Sequence, residues 1–156
     1  MYRRILLPLD GTELAERILP HTIELARRFE ATVVLLHAVT SRVKVLSQTA
    51  AADPVAASPV TAEVAEEVVE AEEDSTTRYF AGMAERLQRE GLKVEQVIME
   101  GEAVDTLARV IAGQQIDLVT MTTQGRSTLG RLFLGSVPES LLEEATIPVL
   151  LLRADK

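Results

Sequence analysis

Apolar residues along the chain alternate between two periods. Residues 4–9 carry a short continuous apolar run, Ile5 to Leu9, that stops at Asp10-Gly11, which is turn chemistry. Such runs suit strands buried on both faces, as in parallel sheets. Residues 12–29 then switch to helical spacing, with Leu14, Ile18, Leu19, Ile23, Leu25 and Ala26 largely on one stripe. The β-branched segment 32–39 predicts a second strand. Residues 92–99 predict a third strand, 103–112 a helix, 117–122 a fourth strand, a short helix follows Ser136, and 147–152 predict the last strand.

Between the second and third strands lies a stretch of different character. Residues 47–61 are rich in Ala, Ser, Thr and Pro and read as a loop. Helix formers return near Ala62. Tyr79, Phe80, Met83 and Leu87 recur at three and four, which marks a core-facing stripe, and Gly91 closes the helix. Strands alternating with helices predict one α/β domain over residues 1–156. Its doubly wound parallel sheet has five strands in the order 3-2-1-4-5, with helices on both faces. The acidic, Ala- and Pro-rich segment 41–77 is an insertion within it. In such sheets ligands bind beyond the carboxyl ends of the strands, where strand order reverses. The turns after Asp10, Val39 and Thr122 are therefore the places to look.

Charge sharpens this picture. The chain of 156 residues has 24 acidic and 16 basic side chains, a formal net charge of -8. Eight acids and no Lys or Arg fall within 45–77, so the remainder is neutral, with 16 of each sign. An acidic chain with no basic block is a poor nucleic-acid binder. A hydrophobic fraction of 47% supplies a core and excludes global disorder. The absence of cysteine excludes disulfides, thiolate metal sites and thiol catalysis. No run reaches the roughly 20 apolar residues of a membrane span, and the N-terminal run is too short for a secretory signal. A cytoplasmic protein is expected.

The segment after the fourth strand carries the chemistry. Gly125, Gly130 and Gly135 fall at five-residue intervals, and Ser136 follows at a helix start. Glycines let a backbone approach a phosphate closely, and a helix N-terminus favours an anion. Arg126 and Arg131 add local positive charge. Gly125 to Gly130 has Walker A spacing, but Arg131 and Leu132 replace its Lys and Ser/Thr, and no GxGxxG occurs. Ser136 and Glu139 also make a Ser-x-x-Glu capping box, which needs no ligand. Asp10 and Glu13 have the same spacing, so Asp10 reads either as a helix-initiating side chain or as a ligand contact.

Taken together, Arg4-Ile-Leu-Leu-Pro-Leu-Asp-Gly-Thr, Leu35-Leu-His-Ala-Val39, the glycines at 125 and 135 with nine residues between them, Ser136, and Ile147-Pro-Val-Leu-Leu-Leu-Arg153 resemble the universal stress protein family over essentially the whole chain. The resemblance implies a site for ATP, or a related adenine nucleotide, with Mg2+ carried on its phosphates. Pro8 and Asp10 would sit against the adenosine and the Ala38 backbone against the adenine. Gly125, Gly135, Ser136 and Val137 would cradle ribose and phosphates, with Met121, Thr122 and Arg126 completing the set. It also implies a homodimer through strand 147–153, a role in stress responses, and an unidentified protein partner. Two positions depart from the family signature. Thr122 stands where its first glycine is expected, and the Cβ there is expected to narrow the approach to a ligand. Pro138 follows Val137 and offers neither hydroxyl nor N–H. The alternative is a dimeric interaction module of the same fold that binds no nucleotide.

The other polar residues carry less. His37, in an apolar strand, reads as a core histidine, and His21 as a surface residue of its helix. Glu66-Glu67 and Glu72-Glu73 are neighbours in sequence, do not face each other on a helix, and read as a solvated face. No catalytic constellation is visible.

Overall fold

The computed structural model describes residues 1–39, 59–124 and 136–154. Five parallel strands form one sheet: β1 (Arg4–Pro8), β2 (Thr32–Val39), β3 (Lys93–Glu100), β4 (Leu118–Gln124) and β5 (Val149–Ala154). Their spatial order is β3-β2-β1-β4-β5, the order expected from the sequence. The central strand β1 pairs with β2 from Arg4↔Thr32 to Pro8↔Leu36, and with β4 at Ile5↔Leu118 and Leu6↔Val119. Strand order therefore reverses between β1 and β4.

The continuous apolar runs are explained by burial on both faces. Ile5, Leu7, Val33 and Leu35 point to one face and pack with Ile18, Leu19, Phe80 and Leu87. Leu6, Val34, Leu36, Val119 and Met121 point to the other and pack with Leu107, Val110 and Leu141. The first face is covered by α2 (Leu19–Phe29) and α3 (Pro59–Arg89), the second by α4 (Ala103–Gly113) and α5 (Ser136–Glu144). Of the stripe expected on α3, Phe80, Met83 and Leu87 are buried, while Tyr79 lies half-buried at its margin. Gly91 ends the long helix with φ +82°, a left-handed conformation in which glycine has no steric penalty.

The single helix expected over 12–29 is two. A one-turn helix α1 (Glu13–Glu16) precedes α2. Pro20 is the cause: it has no N–H to return to the Glu16 carbonyl, so the ladder stops there and restarts with proline in the first turn of α2. β4 runs two residues further than expected, to Gln124, which places Thr122 inside the strand. β5 starts at Val149 rather than 147, because Pro148 lacks a ladder donor; its carbonyl accepts from the Val119 N–H at 3.1 Å. The acidic segment enters α3 at Pro59, and residues 41–58 of the expected insertion lie outside the described residues. Among the described residues no helix is long and apolar enough to cross a membrane.

Candidate functional site

The carboxyl ends of β1 and β4 flank the crevice where strand order reverses. On the β1 side, Pro8 is half-buried at the strand end opposite Leu36. The Leu9 N–H donates to the Leu36 carbonyl at 3.1 Å, so the chain stays in the sheet for one residue more. Asp10 then turns out into solvent, and Gly11 follows with φ +81°.

Asp10 does not cap the helix. Its Oδ1 accepts from the Thr12 N–H at 3.0 Å and from the Thr12 hydroxyl at 2.7 Å. Thr12, in extended conformation, is the N-cap, and its Oγ1 accepts from the Ala15 N–H at 3.1 Å. The capping-box spacing from Asp10 to Glu13 is thus two residues out of register with the helix start. Asp10 holds the cap, and the cap holds the helix. One carboxylate oxygen of Asp10 is engaged in this way.

The β4 side carries Met121 and Thr122. Met121 is buried and packs its side chain against the α4–α5 face. Thr122 alternates to the opposite face, and its hydroxyl donates to the Ala15 carbonyl at 3.3 Å. Its side chain is turned to α1. Two residues earlier Thr120, fully buried, meets the hydroxyl of Thr22 at 2.8 Å. Ala38 is half-buried near the carboxyl end of β2, in register with Met99. Ser136 is the first residue of α5, and Val137 is half-buried against the α4–α5 core. Gly125, Arg126 and Gly135 lie outside the described residues.

A second set of groups, absent from the sequence-based site, adjoins Asp10. A cavity of about 220 Å³ is lined by Asp10, Gly11, His37, Ser75, Thr76, Tyr79 and Phe80. His37 is half-buried with its ring 4.9 Å from that of Phe80, and its Nδ1 lies 3.2 Å from the Leu9 carbonyl. A carbonyl only accepts, so Nδ1 carries the proton and donates. The Tyr79 hydroxyl donates to Glu16 Oε1 at 2.9 Å, and Arg86 pairs with the other Glu16 oxygen at 3.3 Å. Burial first, and then the bond to the Glu16 carboxylate, push the Tyr79 phenol well above its usual range. The strand alternation that puts His37 on the same face as Val33 and Leu35 was the available signal for its contact with α3.

Chemically the described part of the crevice offers an anchored carboxylate, backbone groups at three strand ends and a helix start. Among the described residues no group of three or more His, Asp or Glu side chains is placed to hold a metal ion.

The chain matches the family model described as Universal stress protein family over residues 1–153. It is 26% identical to Universal stress protein MJ0531 of Methanocaldococcus jannaschii, over 100% of this chain and 85% of that protein. The solved structure of protein MJ0577 of the same organism superposes with a TM-score of 0.77 at 23% identity, covering 99% of this chain and 97% of that one. A universal stress protein solved in complex with cAMP gives 0.61 at 18% identity, covering 97% of each chain. A family protein from Arabidopsis thaliana solved with AMP bound gives 0.60 at 16% identity, covering 97% of this chain and 91% of that one. At these identities the structural matches establish the fold.

Proposed function

The chain belongs to the universal stress protein family, and we propose from that membership that it binds an adenine nucleotide, ATP or a close relative, in the crevice between β1 and β4. The observation that carries the reading is Asp10. Its carboxylate stands at the point of strand reversal, oriented by two donors from Thr12, where a ribose hydroxyl would find an acceptor already in place. That two family structures were solved with cAMP and AMP supports the adenine part of the proposal.

In this reading Pro8, Asp10 and the Ala38 backbone hold the adenosine. Met121 contributes only backbone, since its side chain is in the core. Thr122, Gly125, Arg126, Gly135, Ser136 and Val137 bound the ribose and phosphates, and the phosphates would carry Mg2+. The N-terminus of α5, nine residues long, adds its unpaired N–H groups. Pro138 removes one of them. The nucleotide supplies a charged, removable bridge between the β1 and β4 sides. The protein acts as a cytoplasmic stress-response sensor and pairs with a second copy along β5, the edge strand beside β4.

The test begins with protein purified without added nucleotide. Acid extraction and chromatography should release an adenine nucleotide, or titrated ATP with Mg2+ should raise the melting temperature, and Asp10→Ala should remove the shift. Empty protein that no adenine nucleotide stabilises would leave the family's fold serving as an interaction module alone.

A further inference from the structure

Thr122 departs from the family signature, and the structure gives it work. Its hydroxyl donates to the carbonyl of Ala15 at 3.3 Å. Carbonyls in the last turn of a helix have no donor within the helix, and α1 ends at Glu16. The N–H of the same Ala15 donates to Thr12 Oγ1 at 3.1 Å, and Thr12 in turn donates its hydroxyl to Asp10 at 2.7 Å. A hydrogen-bonded path therefore runs from Asp10 on the β1 side through Thr12 and Ala15 to Thr122 on the β4 side.

We propose that Thr122 is a positioning residue: through this path it fixes the carboxyl end of β4 relative to Asp10, so that the two sides of the crevice are set at one separation before a nucleotide arrives. A glycine here could not reach Ala15, and this hydrogen-bonded link between the two sides would be lost. β1 and β4 pair only at Ile5↔Leu118 and Leu6↔Val119, well below Asp10 and Thr122. Holding a site in its bound geometry raises affinity by reducing what must be ordered on binding. The gain falls on ligands that touch both sides. ATP does so under the proposed function, on which this inference rests, whereas adenosine touches chiefly the β1 side.

Calorimetric titration of ATP with Mg2+ and of adenosine, against four proteins, tests this. Thr122→Val keeps the volume and loses the donor, and ATP affinity should fall about three- to tenfold, the range of one lost hydrogen bond. Adenosine affinity should stay within about twofold on the same grounds. Thr122→Ser restores the donor and should restore ATP affinity. Thr122→Gly separates two ideas by sign. If the Cβ at 122 obstructs the ligand, glycine tightens binding; if the hydroxyl positions the crevice, glycine weakens it. Melting temperatures check that each variant is folded. Combining Thr12→Val with Thr122→Val should weaken ATP by less than the product of the single effects, since one path is broken in both.

ATP binding by T122V or T122G as tight as by the parent overturns the proposal. So does an equal loss of ATP and adenosine, which would mark a structural role. A parent protein that binds ATP with T122V unaltered defeats this inference alone. A parent that binds no adenine nucleotide defeats the nucleotide reading, and this one with it.

Discussion

The two ends of the sheet are built on opposite terms. At the amino end the bonds run through charged side chains. Asp117 accepts from the backbone N–H groups of Arg3 at 2.7 Å and Arg4 at 3.1 Å. The Arg4 guanidinium donates to both oxygens of Glu95 on β3, at 3.0 and 2.6 Å, and to Gln114 at 3.2 Å. β1, β3 and the approach to β4 are thus tied by two carboxylates and one guanidinium. At the carboxyl end the bonds are mostly backbone and hydroxyl: Leu9 to Leu36, His37 to Leu9, Thr12 to Asp10, Thr122 to Ala15. Bonds through charged side chains tie the strands together at the amino end; at the carboxyl end hydroxyl bonds shape the turn and leave a carboxylate in solvent. The difference separates an end that stabilises from the end to which the proposed function assigns the ligand.

The largest test of that separation is Asp117→Ala. It strips the acceptor from two N–H groups at the start of β1, and bonds to a charged group contribute about 1.5–3 kcal/mol. Unfolding in urea should show a loss of about 2 kcal/mol, while ATP affinity should stay within about twofold. A large loss of affinity with the stability would mean that the two ends are coupled through β1 and that the division is wrong.

A smaller effect is expected at Glu95, and it depends on pH. The donated bonds of Arg4 hold the Glu95 carboxyl below its ordinary value of 4.5, against some desolvation. Below 4.5 the unfolded chain takes up this proton before the folded chain does. The pair's contribution is therefore fully present above pH 4.5 and disappears as pH falls through the folded value. Glu95 is half exposed, so solvent screening confines the contribution to about 0.5–1 kcal/mol even with its two-bond geometry. Glu95→Gln should be less stable than the parent at pH 7 by that amount, and the gap should be smaller at pH 3. Urea midpoints at the two pH values check it. A gap undiminished in acid would assign the loss to packing of the Arg4 stem.

Much of the fold could be read before the structure. Continuous apolar runs ending in Asp10-Gly11 located β1 and its turn, and the helical stripe from Phe80 to Leu87 located the cover of one face, because burial imposes those periods directly. The topology followed from the alternation of strand and helix. What was not legible depended on single donors and acceptors. Periodicity runs through Pro20 without seeing that Glu16 loses its partner, so two helices read as one. Capping spacing is satisfied by Asp10 and Glu13, yet Thr12 is the cap, since a hydroxyl two residues on serves as well and Gly11 lets the chain turn first. The bond from the Thr122 hydroxyl to Ala15 was not legible either, because a motif fixes which residue stands at a position but not which way a strand turns its side chain. Periodicity gives His37 and Tyr79 core positions, and both stand at the margin of a cavity beside Asp10.

Tyr79 offers the smallest and sharpest probe of the carboxyl end. Its phenol donates to Glu16, which keeps Arg86 as a second partner, so Tyr79→Phe removes one partly exposed bond and should cost about 0.5 kcal/mol near pH 8. The same burial and bond raise its ionisation well above the ordinary value of 10.0. An unfolded tyrosine loses its proton near pH 10 while the folded one keeps it, so the unfolded state gains on the folded as pH rises past 10. Phenylalanine has no proton to lose. The gap between parent and variant should therefore narrow above pH 10 and then reverse, the effects of all other titrating groups being common to both proteins. Urea unfolding at pH 8 and pH 11 measures it. A gap of constant size at both would mean that Tyr79 is open to solvent and that the wall beside Asp10 is not formed.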